Sequence, residues 1–304
     1  NSLFYGIVYP WLIIRGKIIL SMIHAGTWII SILLLAGFSF FYTDKILEVI
    51  RQEDKIMIML NDIKDNYEVK AIDAKIIDNK IIPGINGRKI NINKSYNNMQ
   101  KNGLFNENLL VFDEIVPNTS IINHKDKFIT SGNSKKNMVS IIFILNNNLY
   151  FDMLNDIFKN KESIPNYFVD YTYLINNSIK IKETNNSEFY SYGNNGDYSP
   201  DNLLFCNNLL TRIKNNPAIY CLSSNMDNNT INLCSSNNLY TISPNIIGDN
   251  NLYSNIKNNL TPGSIILIDM TKEQLNNINI IIDYIKGKGY KIVGLSTLLS
   301  EEFS

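Results

Sequence analysis

The chain has 304 residues, of which 45% are hydrophobic and 18% charged, with 28 basic residues offset by 28 acidic ones. That much apolar material supports a sizeable core and excludes wholesale disorder. A formal charge of zero argues against a general nucleic-acid binder, which needs a net basic surface to displace counterions from phosphates.

In chain order, the first feature is a run from Ile18 to Tyr42 without a charged side chain. About 25 residues at 1.5 Å each give roughly 37 Å, enough to cross a hydrocarbon layer with some tilt. Arg15 and Lys17 precede the run, so the excess of positive charge predicts the N-terminus inside and the rest of the chain outside the cytoplasm. The expected organisation is a cytoplasmic or interfacial segment over 1–17 and a single transmembrane helix over 18–42. A small α+β stalk domain over 43–138 follows, and a larger domain over 139–304. Within the stalk, Ile46 to Ile63 has helical spacing of its apolar residues. The runs Glu68 to Ile77, Lys80 to Ile82, Leu109 to Val116 and Lys127 to Ser131 suit strands, and Ser95 to Lys101 suits a helix capped by Ser95.

From Val139 the pattern becomes a regular alternation of apolar strands and helices. Strands are expected over Val139–Leu145, Tyr167–Val169, Phe189–Tyr192, Ala218–Leu222, Leu239–Ile242, Ser264–Ile268 and Lys291–Gly294. Between them lie helices over Leu149–Lys159, Tyr171–Asn177, Asp201–Lys214, Asn229–Asn237, Leu252–Leu260 and Lys272–Lys286, with a last short helix from Ser296. Seven βα units imply a mostly parallel sheet, open or closed into a barrel, with ligands at the carboxyl ends of the strands.

The cysteines Cys206, Cys221 and Cys234 are well separated and the only histidines are His24 and His124. Neither histidine neighbours a cysteine, which leaves a zinc cluster or a Cys–His nucleophile without support. At most one disulfide can form, and buried free thiols are the expectation. Because Asn is abundant throughout, runs such as Asn146-Asn147-Asn148 carry no functional weight.

The closing segment is the most specific: Pro262-Gly263-Ser264-Ile265-Ile266-Leu267-Ile268-Asp269, a helix, then Lys288-Gly289-Tyr290-Lys291-Ile292-Val293 and Leu295-Ser296-Thr297-Leu298-Leu299. With Val139-Ser140-Ile141-Ile142-Phe143 and Tyr167-Phe168-Val169 ahead of it, residues 139–304 resemble the NodB-homology domain of polysaccharide deacetylases. The resemblance implies a distorted (β/α) barrel of about seven strands. It also implies hydrolysis of acetyl groups on chitin-like polymers, peptidoglycan or xylan, through a divalent metal held by one Asp and two His. The residues that would do this are missing. The paired Asp falls at Ile144 and Leu145, the His-x-x-x-His pair near Tyr192 and Gly196, and the late Leu-His-Asp becomes Leu267-Ile268-Asp269. The expectation is therefore no catalytic residue, no metal and no cofactor.

Asp170, Asp197 and Asp269 stand beside strand ends, where two carboxylates could form an acid–base pair or simply serve as loop and cap residues. The loop from Tyr192 to Tyr198 offers aromatic and amide groups suited to sugars. The candidate ligand-binding residues are accordingly Tyr192, Asn194, Asn195, Asp197 and Asp269. The leading expectation is a membrane-anchored, catalytically degenerate deacetylase-like protein that binds cell-wall glycan or an envelope protein partner. The alternatives are an active carbohydrate esterase with a rearranged site, and a structural envelope protein acting through its stalk.

Overall fold

A computed structural model describes residues 27–43, 45 and 54–303. Residues 27–43 are helical (α1), and the rest of the expected span, 18–26, lies outside the described residues. Among the described residues no helix is long and apolar enough to cross a membrane. The transmembrane assignment, and with it the single-pass location with the C-terminal domain outside, is therefore withdrawn.

The chain packs as two compact units, one of Asn1–Tyr67 with Ile90–Val111, the other of Glu68–Lys89 with Phe112–Ser304. In the first unit, α2 (Lys55–Tyr67) and α3 (Ile92–Gln100) pack through Ile56, Met57 and Leu60 against Tyr96 and Met99. The cap of α3 is Asn91, whose side chain accepts from the Lys94 amide. Ser95, expected there, is buried inside the helix, and its hydroxyl accepts from the Val111 amide at 2.9 Å.

The second unit opens with β1 (Lys75–Ile77), β2 (Lys80–Ile82), all but the last residue of β3 (Gly87–Ile90), β4 (Phe112–Ile115) and β5 (Phe128–Ile129). The alternating pattern then appears as β6 (Met138–Leu145), α4 (Phe151–Asn160), β7 (Pro165–Val169), α5 (Tyr171–Glu183), β8 (Glu188–Ser191) and α6 (Pro200–Lys214). It continues with β9 (Tyr220–Leu222), α7 (Asn228–Ser236), β10 (Tyr240–Ile242), β11 (Ile246–Ile247), α8 (Leu252–Asn259) and β12 (Ile265–Ile268). The last elements are α9 (Lys272–Leu275), α10 (Ile278–Gly287), β13 (Lys291–Ile292) and α11 (Leu295–Leu299). One sheet runs β11–β12–β6–β7–β8, with β13 paired to the start of β6; the other runs β1–β2–β5–β10–β9. Every pairing within these two sheets is parallel except β1 with β2. The expected boundary at residue 138 is not a break in packing, because β5 hydrogen-bonds to β10.

Two features turn the sheets into a barrel. Only Ser243, Pro244 and Asn245 separate β10 from β11, so these act as two halves of one bent strand that carries the wall from β9 to β12. Proline, having no amide hydrogen to offer a ladder, suits such a break. Asn245 then pins the second half, its side chain accepting from the Ile265 amide at 2.7 Å and donating to the Ser264 hydroxyl at 3.2 Å. At the other seam, between β8 and β9, the buried Tyr198 hydroxyl donates to Ser191 O at 3.2 Å and accepts from the Leu222 amide at 2.8 Å. That bridge holds the carboxyl ends of both strands at the same edge.

Alternation along each strand divides inside from outside. Outward, Phe143, Tyr167 and Phe189 stack beneath Phe151 and Phe158 of α4. Inward, Phe168, Tyr190, Tyr220 and Tyr240 form a chain of rings with centroids 5.5, 5.0 and 5.9 Å apart, so the lumen is a packed core. Below them Asn166 is fully buried and accepts from the Leu295 amide at 2.7 Å. Glu188 accepts from Tyr190 Oη at 2.6 Å, from the Ser296 amide at 3.0 Å and from the Ser296 hydroxyl. These bonds seat α11 across the amino end of the barrel and close it.

Two helices depart from expectation. The stretch 272–286 is two helices broken between Leu275 and Ile278, and α5 runs on to Glu183 past a non-helical Asn177.

Candidate functional site

With the amino end sealed by α11, the open end of the barrel is the carboxyl edge. The top inward positions there follow from register. Ile144 pairs with Phe168, and Phe168 with Tyr190, so two residues on along β7 and β8 come Asp170 and Tyr192. On β12, Leu267 pairs with Ile142, which puts Asp269 beside Ile144. Ile144, Asp170, Tyr192 and Asp269 therefore form the rim of the mouth. The proximity shows in Tyr192, whose phenol is raised above its ordinary value by burial first and then by the charges of Asp269 and Asp170.

Asp170 is buried and fully engaged. Its carboxylate accepts from the amides of Thr172 (2.8 Å) and Tyr173 (3.3 Å) as the cap of α5, and from the Asn195 amide at 2.7 Å. The last bond fastens the loop 193–197 over the mouth. Gly193 and Gly196 adopt φ of 68° and 84°, and a Cβ on Gly193 would stand 2.3 Å from Asp197 O. Asn194 and Asp197 face each other in this loop, exchanging backbone bonds of 2.9 and 3.0 Å. The side chains of Asn194, Asn195 and Asp197 are exposed. Tyr192 meets Tyr198 edge-on at 6.4 Å, which holds its ring upright. Asp269 is exposed, and the buried Gln274 fixes it by accepting from its amide (2.8 Å) and donating to its carboxylate (3.3 Å). Asp269 does not cap the following helix; Thr271 does.

Tyr192 and Asp269 thus share the rim, with Asn194, Asn195 and Asp197 on the loop beside it. Asp170 carried a signal, as an acid just ahead of a helix. Gln274 carried none, since only the break between α9 and α10 turns it back toward β12.

Beneath the rim, Cys206 is a buried free thiol pushed up to about 11 by burial, opposed by a hydrogen bond with Ser191, so it is no nucleophile near neutrality. Cys221 and Cys234, expected as free thiols, form a disulfide. The reason is the crossover geometry: α7 lies back over β9 and brings residues 13 apart in sequence to a Cα separation of 6.5 Å.

The donor set does not fit the divalent metal that the resemblance implies. Where carboxylates would stand at the end of β6, Ile144 is half-buried and Leu145 fully buried. The histidine positions hold Tyr192 and Gly196, and the Asp170 oxygens already face three amides. Among the described residues, no three or more His, Cys, Asp or Glu are grouped to hold an ion.

No family model matches the chain. Over 139 residues it is 30% identical to the uncharacterized protein YlxY of Bacillus subtilis, a match covering 44% of this chain and 43% of that protein; the chain thus spans less than half of that relative's length. Among solved structures, a CE4 family pseudoenzyme from Bacillus anthracis superposes with a TM-score of 0.62 at 21% identity, covering 83% of this chain and 97% of that one. A mutant of that pseudoenzyme with restored enzymatic activity superposes equally well. PdaA of Bacillus subtilis, a family 4 carbohydrate esterase, superposes with a TM-score of 0.50 at 14% identity over 59% of this chain and 87% of its own. The fold is that of the family 4 carbohydrate esterases, the polysaccharide deacetylases.

Proposed function

We propose that the chain uses the polysaccharide-deacetylase fold to hold a cell-wall glycan without hydrolysing it. The observation that carries this reading is the end of β6, where Ile144 and Leu145 occupy the place of the metal-binding and proton-accepting carboxylates. Without a metal to polarise an acetyl carbonyl and activate water, and with Asp170 spent on backbone amides, the mouth has no means of hydrolysis. It keeps what binding needs. Tyr192 offers a ring face with a polar tip, Asp269 an oriented acceptor, and Asn194, Asn195 and Asp197 exposed polar groups on a loop tied down through Asp170. Pyranose rings bring apolar faces and many hydroxyls, which such a set matches.

The test is calorimetric binding of N-acetylated chitooligosaccharides and peptidoglycan fragments to the full chain, with acetate release assayed after adding zinc or cobalt. Binding without acetate release is expected. Tyr192→Ala should weaken affinity about fivefold, as loss of an aromatic contact worth about 1 kcal/mol implies, and Asp269→Ala should weaken it comparably. Acetate release with one tightly held metal per chain would overturn the reading.

A further inference from the structure

Beyond Asp269 the carboxyl edge continues into a cleft of about 260 Å³ formed by the loop after β11, the start of α8, and α9 with the turn after it. That is room for roughly one sugar ring. Gln274 lines this cleft and also holds Asp269, so cleft and mouth share a wall. Another wall is Tyr253, 37% exposed and braced edge-on by Tyr284 at 5.7 Å. An aromatic ring held in this way is a fixed platform for the apolar face of a pyranose. The polar lining includes Asn277, Asp249 and Glu273, with no basic residue. Asp249 turns one carboxylate oxygen onto the Asn251 amide at 2.8 Å. The side chains of Glu273 and Asn277 make no hydrogen bond among the described residues, so their polar atoms are available to a ligand.

Charge then selects among sugars. Lys272 precedes Glu273 and the Lys288 ammonium lies over Tyr284 at 5.5 Å, but neither lines the cleft; two lining carboxylates disfavour an anionic residue and favour one that brings a positive charge. We infer that this cleft is a second glycan subsite, for a hexosamine residue whose amine is free rather than acetylated. The inference rests on the glycan-binding reading above and deepens it, since the mouth and the cleft would take neighbouring residues of one partly deacetylated chain. The ammonium would lie between Asp249 and Glu273, its ring on Tyr253, and its hydroxyls toward Asn277.

Calorimetry on the full chain with glucosamine tetramer and N-acetylglucosamine tetramer tests this directly. The wild type should bind the amino tetramer more tightly, by a margin that shrinks as salt is raised. Glu273→Gln should cost the amino tetramer about threefold, as an exposed charge pair implies, and leave the acetylated tetramer unchanged. Tyr253→Ala should weaken the amino tetramer alone, while Tyr192→Ala should weaken both. Glu273 and Tyr253 are exposed, so these variants should fold, and an unchanged thermal midpoint confirms it. If Glu273→Gln and Tyr253→Ala alter neither tetramer while Tyr192→Ala weakens both, the subsite is wrong and the mouth reading stands. If neither tetramer binds the wild type, both fall.

Discussion

At the scale of single residues, the mouth depends on one carboxylate whose oxygens accept from three backbone amides. Asp170 caps α5 and at the same time holds the Asn195 amide, so it sets a helix start and the 193–197 loop together. Removing it leaves the buried Tyr173 amide and two part-buried amides without this acceptor, which costs about 1–3 kcal/mol. Asp170→Ala should lower stability by about that much and should also weaken glycan affinity, because the 193–197 loop loses its tie. Urea unfolding and calorimetry on the same variant check both; a stability loss with full affinity would show that the loop keeps its shape unaided. How far such residues could be read beforehand differs among them. Tyr192, Asn194, Asn195 and Asp197 were legible as a Gly-rich aromatic loop after a strand, and Asp269 as the remnant of a motif. Gln274 and Ile144 were not legible as parts of the rim, since their roles come from register and from a helix break.

At the scale of elements, the seam between β8 and β9 has no ladder, and a tyrosine hydroxyl bridges it instead. Tyr198 is 2% exposed and supplies both a donor and an acceptor to backbone groups of the two strands. Tyr198→Phe keeps the ring but strands the buried Leu222 amide, a penalty of about 1–3 kcal/mol. The expected outcome is a loss of that size in chemical unfolding, with faster amide exchange at Leu222. Wild-type protection at Leu222 would show that another group takes the bond. The Cys221–Cys234 disulfide lies next to this seam and ties β9 to α7. A loop of that size stabilises by about 3 kcal/mol in the chain-entropy model, which offsets the short ladders of β9 and β10.

At the scale of the whole molecule, the barrel is filled and flanked by tyrosines that burial keeps protonated. Tyr167, Tyr190 and Tyr220 are all raised above the ordinary phenol value of 10.0, with burial the largest cause in each, and the less buried Tyr173 reaches about 12. Each binds its proton more tightly folded than unfolded. Their contribution to stability is therefore complete below pH 10, the ordinary value, and is lost as pH rises toward the raised values. The urea midpoint should fall above about pH 10, and phenolate absorbance from these residues should appear only on unfolding. Native protein whose tyrosines all titrate near their ordinary value would contradict a packed lumen.

The sequence by itself determined what is local or periodic. Strand and helix alternation after Val139, the closing Pro262–Leu299 segment and the loss of the metal-binding residues all follow from side chains read in order, because burial on two faces writes continuous apolar runs and a missing histidine cannot be supplied by folding. Only the tertiary structure decided which distant pieces meet. β1, β2 and β5 join the sheet of β9 and β10, although the chain between them reads as a separate stalk. Cys221 finds Cys234, and Gln274 turns back to Asp269. An apolar run near the N-terminus looked long enough to span a bilayer, yet no described helix is. The shared sheet depends on contacts between segments far apart in the chain, the disulfide and the Gln274–Asp269 pair on how a crossover and a helix break turn the chain back, and a one-dimensional pattern records the hydrophobicity of a segment without recording its partner.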